Sequence, residues 1–241
     1  FPQEGDEVED PDVDTEAEVR AERAGYIEII DFDGLEDIAK EHDGRIVLFV
    51  EAGDFIHPPR ALAGIHGMAG DAPIQKDVRD CFVLSGLRTP TQDLRFLMDE
   101  LVEIALRALS PGINDPFTAM TALRWIGAAT AELGTRILRE SANDEATNRD
   151  EKRVVPLTTD FRGYVASGFG AARSAVATSR KATICMYQAL ENCADAVRSD
   201  RRMVVLREEG ARLLAQADVA LAGPDLAEVH ERHRQFLAHL R

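Results

Sequence analysis

The sequence has few residues that could form a disulfide framework, a zinc site or a transmembrane helix. Its three cysteines, Cys81, Cys185 and Cys193, show no Cys-x-x-Cys or Cys/His spacing. An odd number of unspaced cysteines favours a reducing compartment and small buried thiols over disulfides or zinc ligation. No apolar run approaches the roughly 18 residues of a membrane span, and no segment resembles a signal peptide.

Positive charge is also scarce. Lysine and arginine total 28 against 43 acidic residues, which gives a net charge of −15. This charge argues against nucleic acid as a partner and against anionic membrane surfaces, because their phosphates would be repelled. Acidic residues are concentrated in residues 1–24, which lack an apolar period. We therefore expect a solvated acidic tail or linker there, and the start at Phe1 rather than Met suggests part of a longer protein.

Residues 25–86 have the pattern of a small strand-rich subdomain. A helix is predicted between Gly34 and His42, and a polar Gly/Pro loop over 66–76. Short runs rich in Val, Ile and Phe, bounded by turn residues, predict strands at 26–32, 45–50, 55–57 and 78–84.

Residues 88–241 are predicted to form a mainly antiparallel helical bundle, so the fold class is α+β. Thr89–Gln92 has the sequence of a capping box and introduces an amphipathic helix that ends near Ala108. A second helix is predicted from Pro116 to about Arg139. Further predicted elements are a charged loop at 141–153, a brief strand at 154–157, and three or four helices within 161–240.

The segment Leu101–Ala119 joins the first two of these helices and contains more polar residues than a turn requires. The Ser-Pro-Gly sequence ends one helix, and Asn114, Asp115 and a following proline start the next. We expect Asp115 or Asn114 to cap the second helix. Glu103 and Arg107 stand four residues apart and are expected to form an ion pair.

Two interpretations of this segment are open. Its polar residues are either a solvated face with ordinary ion pairs, or a pocket in which an arginine holds an anionic group. The second interpretation predicts that eight residues converge in one region, with Arg107 directed towards the corner: Arg88, Asp93, Glu103, Arg107, Ser110, Asn114, Asp115 and Thr118.

Other chemistry has weaker support. Asp93, Glu100, Glu103 and Asp115 could in principle hold a hard divalent cation, but nearby arginines favour ion pairs within the protein, so no metal is predicted. The histidines form no ligand-like cluster, and the glycines of residues 163–170 match no phosphate-binding motif, so no cofactor is predicted. Ser110 lacks the flanking glycines of a hydrolase nucleophile elbow.

Several segments together resemble a family of predicted bacterial membrane proteins, domain of unknown function 2254. The resemblance rests on Gly25-Tyr26-Ile27 with Ile29 and Asp31, on Gly53-Asp54-Phe55, on Arg88 to Asp93, and above all on LVEIALRALSPGINDPFTA at 101–119. It covers residues 25–130 well and implies a block of transmembrane helices before Gly25. It also implies that this part lies on the cytoplasmic side of the inner membrane and that its activity is unestablished.

Two functions are compatible with these observations. The first is an extramembrane regulatory or ligand-binding domain of a bacterial inner-membrane protein, with its own transmembrane region, a small molecule and a second copy as possible partners. The alternative is a metal- or carboxylate-assisted hydrolase of a small anionic or lipid-derived substrate. In it, Asp93 or Asp115 would be the base and Arg107 the electrostatic clamp.

Overall fold

A computed structural model describes residues 16–135, 152–197 and 199–240. The chain divides into two compact units, one comprising residues 1–92 and 148–157, the other residues 93–147 and 158–241. The first is strand-rich and the second is helical, which confirms the predicted α+β class. The acidic segment 1–15 and most of the charged loop at 141–153 lie outside the described residues.

The strand-rich unit contains two small sheets. The elements are β1 (Ala17–Arg20), β2 (Gly25–Ile30), α1 (Phe32–Glu41), β3 (Arg45–Leu48), β4 (Phe55–Ile56), β5 (Ala61–His66), α2 (Ala72–Asp80), β6 (Phe82–Ser85) and β7 (Val154–Val155). One sheet has the strand order β1-β5-β3-β7 and the other β4-β2-β6. All neighbouring strands are antiparallel except β3 and β7, which pair in parallel through Ile46–Val154 and Val47–Val155.

Two predictions in this unit were wrong. Residues 66–76 and 78–84 were predicted as a loop and a strand, but α2 occupies Ala72–Asp80, and the strand begins only at Phe82. The side chain of Asp71 accepts a hydrogen bond from the Ile74 amide, and a proline in the first turn favours helix formation. Ile74 and Val78 are buried one helical turn apart. Two large apolar residues in a short polar segment are too few to show a helical period in the sequence.

The predicted acidic tail was also too long. Residues 17–20, within the segment expected to be solvated, form β1 and pair with β5. Val19 is fully buried between exposed neighbours, as expected for an edge strand with one face on the core. Because the residues around Val19 are mostly charged, the sequence pattern does not indicate this strand. Val19 is the one residue of β1 that is buried.

The helical unit begins with Asp93, whose carboxylate accepts hydrogen bonds from the amides of Arg95 and Phe96. The first helix of this unit therefore starts at Leu94, beyond the Thr89–Gln92 sequence predicted as a capping box. The Gln92 side chain instead hydrogen-bonds both the amide and the carbonyl of Ile30 within the strand-rich unit. The helices are α3 (Leu94–Ala108), α4 (Pro116–Thr135), α5 (Phe161–Val165), α6 (Ala171–Val176), α7 (Arg180–Ala196), α8 (Asp200–Ala220) and α9 (Gly223–His239), with a π-helical turn (Ala166–Gly170) between α5 and α6.

Helices α4 and α7 pack closely in the core of this unit. A Cβ atom on Gly127 of α4 would lie 2.9 Å from the Cβ of Ala189 on α7, so glycine permits the approach. The Cys193 thiol donates to the Gly127 carbonyl at 3.1 Å across the same contact. In the described part of the chain, every helix falls short of the length or apolar character needed to cross a membrane.

Candidate functional site

The corner between α3 and α4 is closed by main-chain hydrogen bonds. The amides of Ile113 and Asn114 donate to the Ser110 carbonyl at 3.0 and 2.9 Å, and the Asp115 amide donates to the Ala108 carbonyl at 2.8 Å. Asn114 has a φ of 48°, in the left-handed region that asparagine tolerates better than most residues. These bonds fix the position at which Asp115 starts α4.

Asp115 caps α4, as predicted. One carboxylate oxygen accepts hydrogen bonds from the amides of Phe117 and Thr118, each at 3.1 Å, and the other accepts from the Thr118 hydroxyl at 2.5 Å. The Thr118 hydroxyl and these amides lower the pKa of Asp115 from its ordinary value. A carboxylate of lowered pKa is a weaker base than an ordinary aspartate, which does not favour Asp115 as a catalytic base.

Arg107 and Glu103 form the predicted ion pair on the surface of α3. Their side chains are 70% and 60% exposed, so the ion pair is solvent-exposed although Arg107 is next to the corner. The Ser110 hydroxyl donates to the Arg107 carbonyl at 2.7 Å. Exposed pairs of this type contribute little to stability, and this part of the segment matches the solvated-face interpretation.

Six of the eight predicted residues lie at or next to the corner, and Asp93 lies away from it. Asp93 caps the opposite end of α3, about 22 Å along the axis of this 15-residue helix, so it does not converge with Asp115. Arg88 belongs to the strand-rich unit, and its approach to the corner stays a prediction. The six residues of the corner are Glu103, Arg107, Ser110, Asn114, Asp115 and Thr118.

The four carboxylates considered as cation ligands are similarly divided, since Asp93 and Asp115 cap different helices. Throughout residues 16–135, 152–197 and 199–240, no group of three His, Cys, Asp or Glu side chains is arranged to hold a metal ion. The polar atoms of the corner mainly bind one another.

A cavity of about 410 Å³ that the sequence did not predict lies in the helical unit, between the start of α5 and the first turns of α8. Three arginines line it. The consecutive Arg201 and Arg202 were a possible signal in the sequence, but helical periodicity alone does not show that Arg162 faces them. The lining residues are Asp160, Phe161, Arg162, Arg201, Arg202, Val204 and Val205.

Two of these arginines are held by the surrounding protein. Arg202 is buried, donates to the Gly134 carbonyl at 2.8 Å, and has its guanidinium carbon 5.7 Å from the centre of the Phe161 ring. Arg162 donates to Glu208 at 2.6 Å and lowers the pKa of that carboxyl. Fixed guanidinium groups beside an aromatic wall can bind planar or tetrahedral anions through paired hydrogen bonds.

Comparison with known proteins gives relatives without an assigned activity. Uncharacterized proteins of Mycobacterium bovis and Mycobacterium tuberculosis are each 33% identical over 123 residues, 49% of this chain and 24% of the relative. The chain thus spans about a quarter of the length of these relatives. No solved structure matches the chain. A family model described as predicted membrane protein (DUF2254) matches residues 2–192, and the chain therefore belongs to that family.

Proposed function

We propose that this chain is a regulatory, extramembrane part of a bacterial inner-membrane protein and that its helical unit binds a small anionic ligand. Membership of the predicted membrane protein family supports the first part. The observation that supports ligand binding is the cavity lined by Arg162, Arg201 and Arg202. Three free, buried cysteines support a position on the cytoplasmic side, because thiols persist in reducing compartments.

The ligand class follows from the chemistry of the cavity. Its 410 Å³ lie within the range of small-molecule sites, and its wall combines guanidinium groups with Phe161 and two valines. In a chain with a net charge of −15, three arginines against Asp160 and Glu208 leave a local excess of positive charge at this cavity. Phosphate and carboxylate groups are the ligands that arginine binds best.

A regulatory role requires that ligand binding affect another part of the protein. Arg202 lines the cavity and also donates to the carbonyl of Gly134, close to the end of α4. A ligand that draws the Arg202 guanidinium towards itself would weaken or strengthen this bond and so bias the position of α4. The ligand would act by binding two arrangements of the helices with different affinity.

Titration of the 241-residue chain with inorganic phosphate and, separately, with succinate tests ligand binding by calorimetry and by the shift in unfolding temperature. We expect Arg201→Gln to weaken binding about tenfold or more, as expected for loss of a charge-assisted hydrogen bond. Arg234→Gln is the matched control, because Arg234 is an exposed arginine of α9 paired with Glu231. If neither anion binds, or if Arg201→Gln binds the anion as tightly as wild type, the proposal that this cavity binds an anionic ligand is wrong.

The membrane part of the proposal has its own test. In the intact protein, protease added to inverted inner-membrane vesicles should cleave this region, whereas protease added to right-side-out vesicles should leave it intact. The reverse pattern would place the region on the other side of the membrane.

A further inference from the structure

Helix α4 exposes a continuous stripe of residues along its whole length. Phe117 and Trp125 are the large members of this stripe, with 65% and 63% of their surface exposed. The remaining faces of α4 pack against α3 and α7. The stripe, hereafter the α4 face, consists of Phe117, Thr121, Arg124, Trp125, Ala128, Glu132 and Thr135.

The α4 face combines large aromatic and charged side chains. Among the 20 residues of α4 only Arg124 and Glu132 are charged, and both lie on this face together with the exposed rings of Phe117 and Trp125. Exposure of the single tryptophan of the chain on this helix points to an interaction surface.

We propose that the α4 face binds the α4 face of a second copy of this chain, in an antiparallel arrangement with a two-fold axis beside Ala128. Arg124 and Glu132 lie four residues before and four residues after Ala128. The two-fold axis therefore places Arg124 opposite Glu132 of the second copy, twice in each dimer. Ala128 is the smallest side chain of the face, and its position at the crossing allows the two helices to approach closely.

The charge pattern selects a second copy over other partners. A symmetric contact brings the exposed Arg124 guanidinium to the Glu132 carboxylate of the second copy. Helix α3, which packs against α4, has Glu100 and Glu103 exposed, and the chain as a whole has a charge of −15, so an anionic lipid surface would be repelled. The α4 face has one charge of each sign, which makes it suited to contact between two acidic molecules.

The size of the contact sets its expected strength. A 20-residue helix is about 30 Å long, and one helix pair buries less than the roughly 1,200–2,000 Å² of most stable complexes. We therefore expect a dimer in concentration-dependent equilibrium with monomer in the micromolar to millimolar range. Trp125 is the chain's one tryptophan, so its fluorescence reports burial of this face directly.

Sedimentation velocity over that concentration range, together with tryptophan emission, tests the proposal. Wild type should reach twice the monomer mass as concentration rises, with a parallel shift of Trp125 emission to shorter wavelength. Ala128→Arg, at an exposed position, should remain folded by circular dichroism but stay monomeric. Val219→Arg is the control, since Val219 is 84% exposed on α8, outside the α4 face, and should dimerise like wild type.

A charge exchange distinguishes a second copy from any other occupant. Arg124→Glu and Glu132→Arg alone should each weaken dimerisation about tenfold or more, because like charges then face each other. The double variant restores both pairs with reversed sign and should recover wild-type affinity.

Three results would overturn the proposal. The first is wild type that stays monomeric at every concentration, and the second is an Ala128→Arg variant that still dimerises. The third is a double charge variant that dimerises more weakly than either single variant. Wild type that stays monomeric while anionic phosphatidylglycerol vesicles shift the Trp125 emission would identify a membrane contact instead. Dimerisation does not depend on anion binding, so each proposal can fail without the other.

Discussion

Arg173 donates through Nη1 to both carboxylate oxygens of Glu209, each at 2.8 Å. Glu209 lies on α8 and is only 2% exposed, and Arg173 on α6 forms an ion pair with it. Burial raises the pKa of Glu209, although Arg173 acts in the opposite direction. The carboxylate is thus an ionisable group in the core whose charged form is favoured mainly by Arg173, with a smaller contribution from Arg212.

Loss of Arg173 should destabilise the helical unit strongly. We expect Arg173→Gln to reduce the free energy of unfolding by about 3–5 kcal/mol at neutral pH, because a buried carboxylate loses its counterion. The double variant Arg173→Gln with Glu209→Gln should recover most of this loss. Chemical denaturation of both variants measures the difference, and equal stability of the single and double variants would contradict this account.

The same carboxylate predicts the direction of a pH dependence. Because the pKa of Glu209 is raised in the folded state, its protonation favours folding fully below the pKa of the unfolded chain. This contribution is lost as pH rises through the raised pKa of the folded state. In Arg173→Gln the pKa of Glu209 should rise further. The loss of stability of this variant relative to wild type should therefore become smaller as pH is lowered. Denaturant midpoints at acidic and neutral pH give the comparison with wild type.

At the corner, one carboxylate oxygen of Asp115 accepts from the backbone amides of α4 and the other accepts from the Thr118 hydroxyl. Asp115→Asn keeps an oxygen for the Phe117 and Thr118 amides and should leave the unfolding temperature nearly unchanged, whereas Asp115→Ala should lower it. The lowered pKa of Asp115 means that its stabilisation is present above the ordinary aspartate pKa and is lost as pH falls through the lowered one. Equal unfolding temperatures for the alanine and asparagine variants would show that the cap is unimportant.

The three thiols should be protected from alkylation in the folded chain. Burial raises the pKa of Cys81 to about 11 and that of Cys193 to about 12, and it raises the pKa of Cys185 as well. Little reactive thiolate is therefore present at neutral pH. Iodoacetamide labelling followed by mass spectrometry should be slow without denaturant and should accelerate when the chain opens, with Cys193 slower than Cys81.

Two helical glycines offer a matched pair of substitutions. A Cβ atom on Gly210 of α8 would overlap the Phe236 ring, whereas one on Gly170 would meet its nearest atom at 3.7 Å. We expect Gly210→Ala to destabilise the chain by about 1–3 kcal/mol through overpacking. Gly170→Ala should be neutral or slightly stabilising, because alanine favours helix. Similar losses in both variants, measured by thermal unfolding, would show that packing against Phe236 is not the cause.

Local signals in the sequence were sufficient for the fold class and for the cap of α4. An N-capping residue followed by proline indicates a helix start wherever it occurs, and Asp115 with its following proline is such a case. The i,i+4 spacing of Glu103 and Arg107 likewise predicts their pair without knowledge of the fold. Both features depend on residues close together in the chain.

Contacts between distant residues could not be predicted in this way. Arg162 and Arg201 line one cavity because α5 and α8 pack together, and no sequence period connects them. Asp93 does not lie at the corner for the opposite reason, since a helix of 15 residues separates it from Asp115. The Gln92 side chain was assigned to a helix cap because its long-range bond to Ile30 is invisible in the sequence.

The parallel pair of β3 and β7 has a consequence for biosynthesis. Strand β3 pairs with β5 on one side early in the chain, but its other side is covered by β7, which follows α3 and α4 in sequence. On the ribosome, the backbone groups of Ile46 and Val47 therefore remain an open strand edge until Val155 has emerged. The first sheet to be translated is completed only after two helices of the other unit, and during that interval the nascent chain exposes a site for mispairing.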